Sequence, residues 1–310
     1  MKSMIRCITD RIKNKVVRTA EQWKRTAELA KLRRGKKLRI MDSDKTIAYI
    51  IKHRLSVTRF GDGEFNIIFN GEGVNFQSGS MQLSHRLKEV LLSNRPDLLV
   101  CLPHAINSVH GLNERASNFF QNWSLKNYSH LSSLIIRAGE NSLLYGDASM
   151  TRPYKDWDDP IRAKRIFDAM KQLWQDQDIL FVEGEQTRLG IGNDLFANTR
   201  SVKRILAPAV NAFDHYEEIL QRVLELHQGE LVILALGPAA TVLAYDLAVQ
   251  GIRTLDMGHV DIEYEWYLRK ATSKVAIPGK YTNEASDGSN VTACEDPVYL
   301  SQIIAKVGIP

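Results

Sequence analysis

A chain of 310 residues with 44% hydrophobic content can bury a substantial core and allows one large domain or two modest ones. No apolar run is long enough to span a bilayer, and three widely separated cysteines, Cys7, Cys101 and Cys294, set aside a disulfide framework or structural zinc site in favour of a reducing, cytoplasmic setting. The net charge of +5 hides an asymmetry: residues 1–39 hold 14 Lys or Arg against Asp10, Glu21 and Glu28, a balance of +11, and the remaining 27 basic and 33 acidic residues stand at −6.

The basic segment, residues 1–44, reads as an amphipathic helical arm, because Ile5, Ile8, Ile12, Val16, Trp23, Ala27 and Ala30 recur near helical spacing with cations between them. Such a helix can lie on an anionic membrane surface with Trp23 at the interface, or pack on its own domain or a partner. Nucleic acid is a poorer fit, since no stacking aromatics interleave the run Lys31-Leu32-Arg33-Arg34-Gly35-Lys36-Lys37. Charges interrupt every apolar stretch that a secretory signal would need. The reading taken is reversible, peripheral contact with the inner face of the membrane.

From residue 45 onward the pattern is α/β. Apolar strands are predicted at 55–60, 98–102, 132–136, 179–183, 202–206, 231–236 and 252–256 with helical patterns between several of them, which favours a mostly parallel sheet with helices on both faces. The first strand runs into Arg59-Phe60-Gly61-Asp62-Gly63-Glu64. If that stretch stays extended, the two-residue period turns Asp62 and Glu64 to one side, where their oxygens can take adjacent positions on Mg²⁺ or Mn²⁺ beside a substrate phosphate. Gly61 and Gly63 would let a ligand approach the backbone. An Asp-Gly turn explains the same letters.

Further along, residues 137–160 show weak periodicity and include Arg152-Pro153-Tyr154, which marks a long loop or a junction between subdomains. After the strand near 179 comes Glu183-Gly184-Glu185-Gln186-Thr187-Arg188-Leu189-Gly190-Ile191-Gly192-Asn193-Asp194, at the carboxyl end of a strand where open parallel sheets bind ligands. Arg188 would neutralise phosphate and Asn193 with Asp194 would bond a base or ribose; a solvated loop with a helix cap at Asp194 is the plain alternative. Leu231–Leu236, Gly237-Pro238-Ala239-Ala240-Thr241 and the strand at 252–255 form a βαβ unit. Its helix start, with Pro238 at the first position and Thr241 as hydroxyl donor, offers free N–H groups to an anion. Gly237 lacks the partner glycines of a dinucleotide fingerprint, so nicotinamide chemistry is not favoured.

The stretch Asp256-Met257-Gly258-His259-Val260-Asp261-Ile262-Glu263-Tyr264-Glu265-Trp266 gathers an imidazole, carboxylates and aromatic rings suited to proton transfer and sugar stacking, although Ile262 and Trp266 at helical spacing also read as core. Lys280-Tyr281-Thr282-Asn283-Glu284 adds a phosphate contact in Lys280 and another candidate base in Glu284.

Taken together and in this order, Arg59 to Glu64, the Glu183–Phe196 cluster, Leu236 to Thr241 and Gly258 to Trp266 resemble the bacterial GT-D-type glycosyltransferases, over roughly residues 45–285. The resemblance implies a Rossmann-like transferase that takes a hexose from a UDP-sugar with a divalent metal, Mn²⁺ or Mg²⁺, held by a D-x-E motif that Asp62 and Glu64 occupy here. It implies cytoplasmic assembly of surface glycoprotein or polysaccharide, with a glycan acceptor on a protein or lipid carrier. Arg59, Arg152, Arg188 and the helix start at Pro238 would share the charge of the leaving group, and Asp261, Glu263, Glu284 or His259 would handle the acceptor proton. Residues 286–310 are left as a C-terminal tail. A metal-dependent nucleotide or phosphoester hydrolase would use the same carboxylates, and a nucleotide- or membrane-binding scaffold would use none of them.

Overall fold

The computed structural model describes residues 23–35, 37–138 and 143–309. Its strands are β1 (Arg39–Ile40), β2 (Ser56–Arg59), β3 (Leu98–Leu102), β4 (Leu144–Asp147), β5 (Asp178–Gly184), β6 (Ser201–Ala207), β7 (Leu231–Ala235), β8 (Thr254–Asp256) and β9 (Ile303–Lys306). Its helices are α1 (residues 23–33), α2 (Ser43–His53), α3 (Asp62–Asn70), α4 (Met81–Leu91), α5 (Glu114–Arg137), α6 (Pro160–Lys171), α7 (Tyr216–Leu226), α8 (Pro238–Val249), α9 (Val260–Leu268) and α10 (Pro297–Gln302). The chain divides into two compact units, Met1–Leu38 with Ala105–Asn141, and Arg39–His104 with Ser142–Pro310.

All nine strands belong to the second unit and form one parallel sheet in the order β1-β4-β3-β2-β8-β7-β5-β6-β9. From β2 the chain adds strands outward through β3 and β4, and the later strands fill in from β8 to β6 on the other side. The order therefore reverses between β2 and β8, the position at which open parallel sheets bind ligands beyond their carboxyl ends. Alternation along the strands covers both faces. Val57, Cys101, Phe181, Ile233 and Leu255 pack with Ile47 and Ile50 of α2, Ile166 and Phe167 of α6 and Val260 of α9. Thr58, one residue on from Val57, points the other way, and its hydroxyl donates to the Thr241 carbonyl of α8 at 2.7 Å. Central strands buried on both faces explain the continuous apolar runs of β3 and β7.

In the first unit, α1 and α5 lie side by side, with Thr26 and Gln121 3.5 Å apart and the Arg33 guanidinium 5.6 Å from the Tyr128 ring centre. Both contacts advance along the two helices together, so the helices run in the same direction. The arm helix predicted from Ile5 onward is described only from residue 23, and its earlier part lies outside the described residues.

Three differences from the sequence reading concern the fold. Residues 132–136 lie inside α5, because Ser124, Tyr128, Leu131 and Ile135 bury one helical stripe and the run Leu134-Ile135-Ile136 crosses it. β4 falls within residues 137–160, the stretch read as a long loop or a junction between subdomains, and the unit boundary at residues 141 and 142 falls there too, in line with the junction alternative. Residues 286–310, read as a tail, supply α10 and the edge strand β9, and residues 39–53, divided between arm and domain, supply β1 and α2.

Candidate active site

The end of β2 does not stay extended past Phe60. Gly61 takes the cap position of α3, with φ −106° and ψ −171°, and the Glu64 carboxylate turns back to accept the Gly61 N–H at 2.7 Å. Asp62 and Glu64 are thus the first and third residues of a helix, where side chains two apart diverge by roughly 200° around the axis. The expectation of two carboxylates on one side of an extended segment is corrected on this point: Glu64 satisfies the helix start and Asp62 stands exposed beside it. Burial, together with the nearby Asp256 charge, pushes the Glu64 carboxyl up to about 7. A methyl on Gly63 would sit 2.8 Å from Val74 Cγ1, so this glycine admits the loop after α3.

Arg59 faces the protein. Its Nε and Nη2 donate to the carbonyl and Oδ1 of Asp256 at 2.8 and 2.9 Å, and its Nη1 donates to Thr151 Oγ1 at 2.8 Å. Instead of contacting phosphate directly, it ties β2 to β8 and to the turn Ala148–Thr151 that follows β4. Gly258, at φ 39°, makes room for it, because a Cβ there would lie 2.0 Å from Nη2. Burial raises the Asp256 carboxyl, and Arg59 works against that rise.

Beyond β8 lies a second charged group. Glu284 Oε1 is 3.0 Å from His259 Nε2 and 2.5 Å from Arg152 Nη1, and its other oxygen pairs with Lys274. His259 Nε2 also faces Asn283 Oδ1 at 3.0 Å. With two acceptors before it, Nε2 carries the proton and Nδ1 carries the lone pair. Burial, then the Arg152 charge, lowers the imidazole pKa, while Glu284 pulls the other way. Against burial, the His259 hydrogen bond and the Arg152 and Lys274 charges hold the Glu284 carboxyl well below the ordinary carboxylate range. Three predicted residues, His259, Glu284 and Arg152, therefore meet at one place, 25 residues or more apart in sequence.

Other predicted residues have structural partners. Asp261 is buried, accepts from Gly190 N–H at 3.0 Å and Asn193 Nδ2 at 2.8 Å, and pairs with Lys280 at 2.5 Å, which removes it as a base and Lys280 as a phosphate contact. Glu263 accepts the N–H groups of Tyr154 and Lys155. Arg188, read as a phosphate ligand, donates to the carbonyls of Gly279 and Thr292 at 2.7 and 2.6 Å. Asn193 bonds Asp261 and Glu265, and Asp194, largely exposed, bonds Lys171 and the Tyr264 hydroxyl, so both already have partners within the protein. The Thr241 hydroxyl donates to the Arg59 carbonyl at 2.9 Å, making it a helix-to-strand tether in place of an anion donor. Pro238 does open α8, but the Phe76 ring lies against Gly237, where a Cβ would be 2.5 Å from Cε2. Trp266 is wholly buried with Ile262 and Ile277, which is the core alternative for that stripe.

The sequence reading did not single out Asp256, Thr151, Asn283 or Lys274. Asp256 was detectable as a carboxylate ending a buried strand, while the other three lie in turns and loops whose partners no regular spacing announces. Among the described residues no three His, Cys, Asp or Glu side chains form a cage for a metal ion. Of the predicted pair only Asp62 is exposed to a ligand, as a single carboxylate of the kind that can hold a small divalent cation together with substrate phosphates; Glu64 is engaged by the Gly61 N–H and does not share a face with it.

The family model described as the glycosyltransferase GT-D fold matches residues 57–285 of this chain. A probable glycosyl transferase, Gly, of Streptococcus gordonii is 37% identical over 275 residues, which make up 88% of this chain and 39% of that protein. The glycosyltransferase GlyD of Streptococcus pneumoniae serotype 4 is 35% identical over 271 residues, 87% of this chain and 33% of that protein. The chain thus spans between a third and two fifths of the length of these relatives. The solved structure of the highly conserved domain of unknown function 1792, described as having a distinct glycosyltransferase fold, superposes with a TM-score of 0.83 at 34% identity, covering 91% of this chain and 100% of that one. A glycosyltransferase of the same domain type from Streptococcus sanguinis gives 0.77 at 36% identity, with coverage of 87% and 99%.

Proposed function

Since this chain belongs to the family of glycosyltransferases with the GT-D fold, we propose that it moves a hexose, glucose first among the candidates, from a UDP-sugar to a glycan acceptor on a protein or lipid carrier. The observation that carries this reading is the reversal of strand order between β2 and β8: the two strands are parallel neighbours, Asp62 follows the carboxyl end of β2, and His259, paired with Glu284 beside Arg152, follows that of β8. Asp62 would hold Mn²⁺ or Mg²⁺ beside substrate phosphates, with Glu64 able to join only by releasing the Gly61 N–H, and a bound ion supplies Lewis-acid neutralisation of a diphosphate leaving group. Arg152 is a cation of the chain at that end, and Lys274 lies on the other oxygen of the same Glu284 carboxylate. Among the four candidate bases the geometry favours His259: its Nδ1 lone pair takes the acceptor hydroxyl proton while Glu284 fixes the ring through Nε2. The acceptor oxygen then bonds the anomeric carbon as the bond from that carbon to the diphosphate breaks.

The test is release of UDP from a panel of UDP-sugars with Mn²⁺, with and without chelator and acceptor, in wild type and in a folded Asp62→Asn variant. We expect release from one donor that the acceptor stimulates, that chelator stops and that the substitution lowers by about two to three orders of magnitude. Release that no acceptor stimulates would favour a hydrolase, and absence of nucleotide binding would favour a scaffold.

For residues 1–39 we propose peripheral contact with an anionic membrane surface on the cytoplasmic side. Supporting it are the +11 balance of that segment and the position of Trp23, 72% exposed at the first described residue of α1, near the exposed Phe119 along the pair of helices. Among the described residues no helix is long and apolar enough to cross a membrane.

A further inference from the structure

The strap of residues 152–157 carries Arg152 into the candidate site, and a single buried side chain holds its backbone. Glu263 of α9 is 0% exposed; its Oε2 accepts the N–H groups of Tyr154 at 3.1 Å and Lys155 at 3.0 Å. Its Oε1 has no hydrogen-bond partner among the described residues. Two further ties, from the Tyr154 hydroxyl at 3.2 Å and Lys155 Nζ at 3.0 Å, converge on the Ala271 carbonyl just beyond α9. Arg152, two residues before Tyr154, pairs with Glu284. A buried carboxylate with one unsatisfied oxygen is destabilising by itself, so its place here calls for a role beyond packing.

We infer that Glu263 is a positioning residue: by gripping the strap at Tyr154 and Lys155 it sets where the Arg152 guanidinium meets the diphosphate of the donor. The role rests on the UDP-sugar reading above, and it separates Glu263 from His259, which handles the acceptor proton. A grip of this kind needs an acceptor oxygen at the right reach and does not need a titrating group.

The experiment compares wild type with Glu263→Gln and Glu263→Ala by hydrogen exchange of residues 152–157 without ligand, by calorimetric binding of UDP with Mn²⁺, and by kcat and KM for the donor. Glutamine retains an acceptor oxygen, and its exchange, UDP affinity and kcat should stay within about threefold of wild type. Alanine removes two hydrogen bonds, and should speed exchange at Tyr154 and Lys155 and weaken UDP binding by about tenfold or more each, with a larger change in KM than in kcat. If alanine prevents folding, Glu263→Asp, one methylene shorter, should show the same pattern to a smaller degree. Loss of kcat in the glutamine variant with UDP affinity intact would make Glu263 a base and overturn the inference. So would faster strap exchange with unchanged UDP affinity, or strap exchange that responds to neither shortened side chain. A wild-type chain that binds no nucleoside diphosphate would instead sink the donor reading, and the role of Arg152 with it.

Discussion

Burial decides the charge of His259 before any substrate arrives. An imidazole ordinarily titrates near 6.5, and here burial and then Arg152 lower that value, so the ring stays neutral through neutral pH and somewhat below it. A base must be unprotonated to act. The kcat/KM profile should therefore be level around pH 7 and fall on its acid side, with a midpoint below about 6.5. Glu284 acts on His259 in the raising direction, so Glu284→Gln should move that midpoint to lower pH, and His259→Gln should erase the limb while lowering kcat by about two to four orders of magnitude. The measurement is the pH dependence of UDP release at low donor concentration; a midpoint above 6.5, or a His259→Gln variant with the wild-type limb, would remove His259 from the role. Gly258, between Asp256 and His259, shows how tightly this corner is built, because the Arg59 guanidinium occupies the space of its missing side chain.

Among the elements, the edge formed by β6, α10 and β9 depends on a buried ion pair. Glu183 of β5 pairs with Arg204 of β6, and both side chains are almost fully buried. Glu183 also accepts the Leu189 N–H at 2.7 Å, while Arg204 donates to Gln302 Oε1 at 2.8 Å and to the Leu189 carbonyl at 2.9 Å. The guanidinium lies 4.7 Å from the Phe181 ring centre and 5.1 Å from that of Tyr299, so Arg204 joins two neighbouring strands to the last helix. Glu183→Ala leaves that cation buried without its counter-ion and should cost about 3–5 kcal/mol in thermal or denaturant unfolding. A loss under 1 kcal/mol would show that the pair does not hold this edge.

The same contrast explains what could be read in the sequence. Strands β3, β5 and β7 were legible because parallel strands buried on two faces are unbroken apolar runs, whereas β6 showed only in Val202 and the run Ile205-Leu206-Ala207 around Lys203 and Arg204. β4 was hidden by Gly146, a poor strand former required because a Cβ there would lie 2.4 Å from Cys101 Sγ. Arg152 and Arg188 looked alike as loop cations beside turns; what distinguishes them is their partners, a carboxylate 132 residues away for one and the carbonyls of residues 279 and 292 for the other. Spacing along a chain reports helix and strand period, but it does not report which distant backbone will close on a side chain.

Taken whole, the chain separates its charge from its candidate chemistry. The +11 balance of residues 1–39 falls almost entirely in the unit that holds α1 and α5, and the residues proposed for donor and proton transfer fall in the unit that holds the sheet. If the basic segment serves to reach an anionic surface, weakening it should alter where the protein binds and leave its turnover alone. Deleting the segment is a poor test, because Leu29 is buried in the first unit. Lys24, Lys31 and Arg34 are exposed and can be changed without touching that core. At about 1 kcal/mol for each cation near the surface, the triple Gln variant should bind anionic vesicles on the order of a hundredfold more weakly at low salt. Trp23→Ser should weaken vesicle binding further through lost interfacial contact, and neither variant should change UDP release on a soluble acceptor. Sedimentation with phosphatidylglycerol vesicles against neutral phosphatidylcholine vesicles makes the measurement. Equal binding by wild type and triple variant would refute the membrane role, and a selective loss of RNA binding instead would give the segment to nucleic acid.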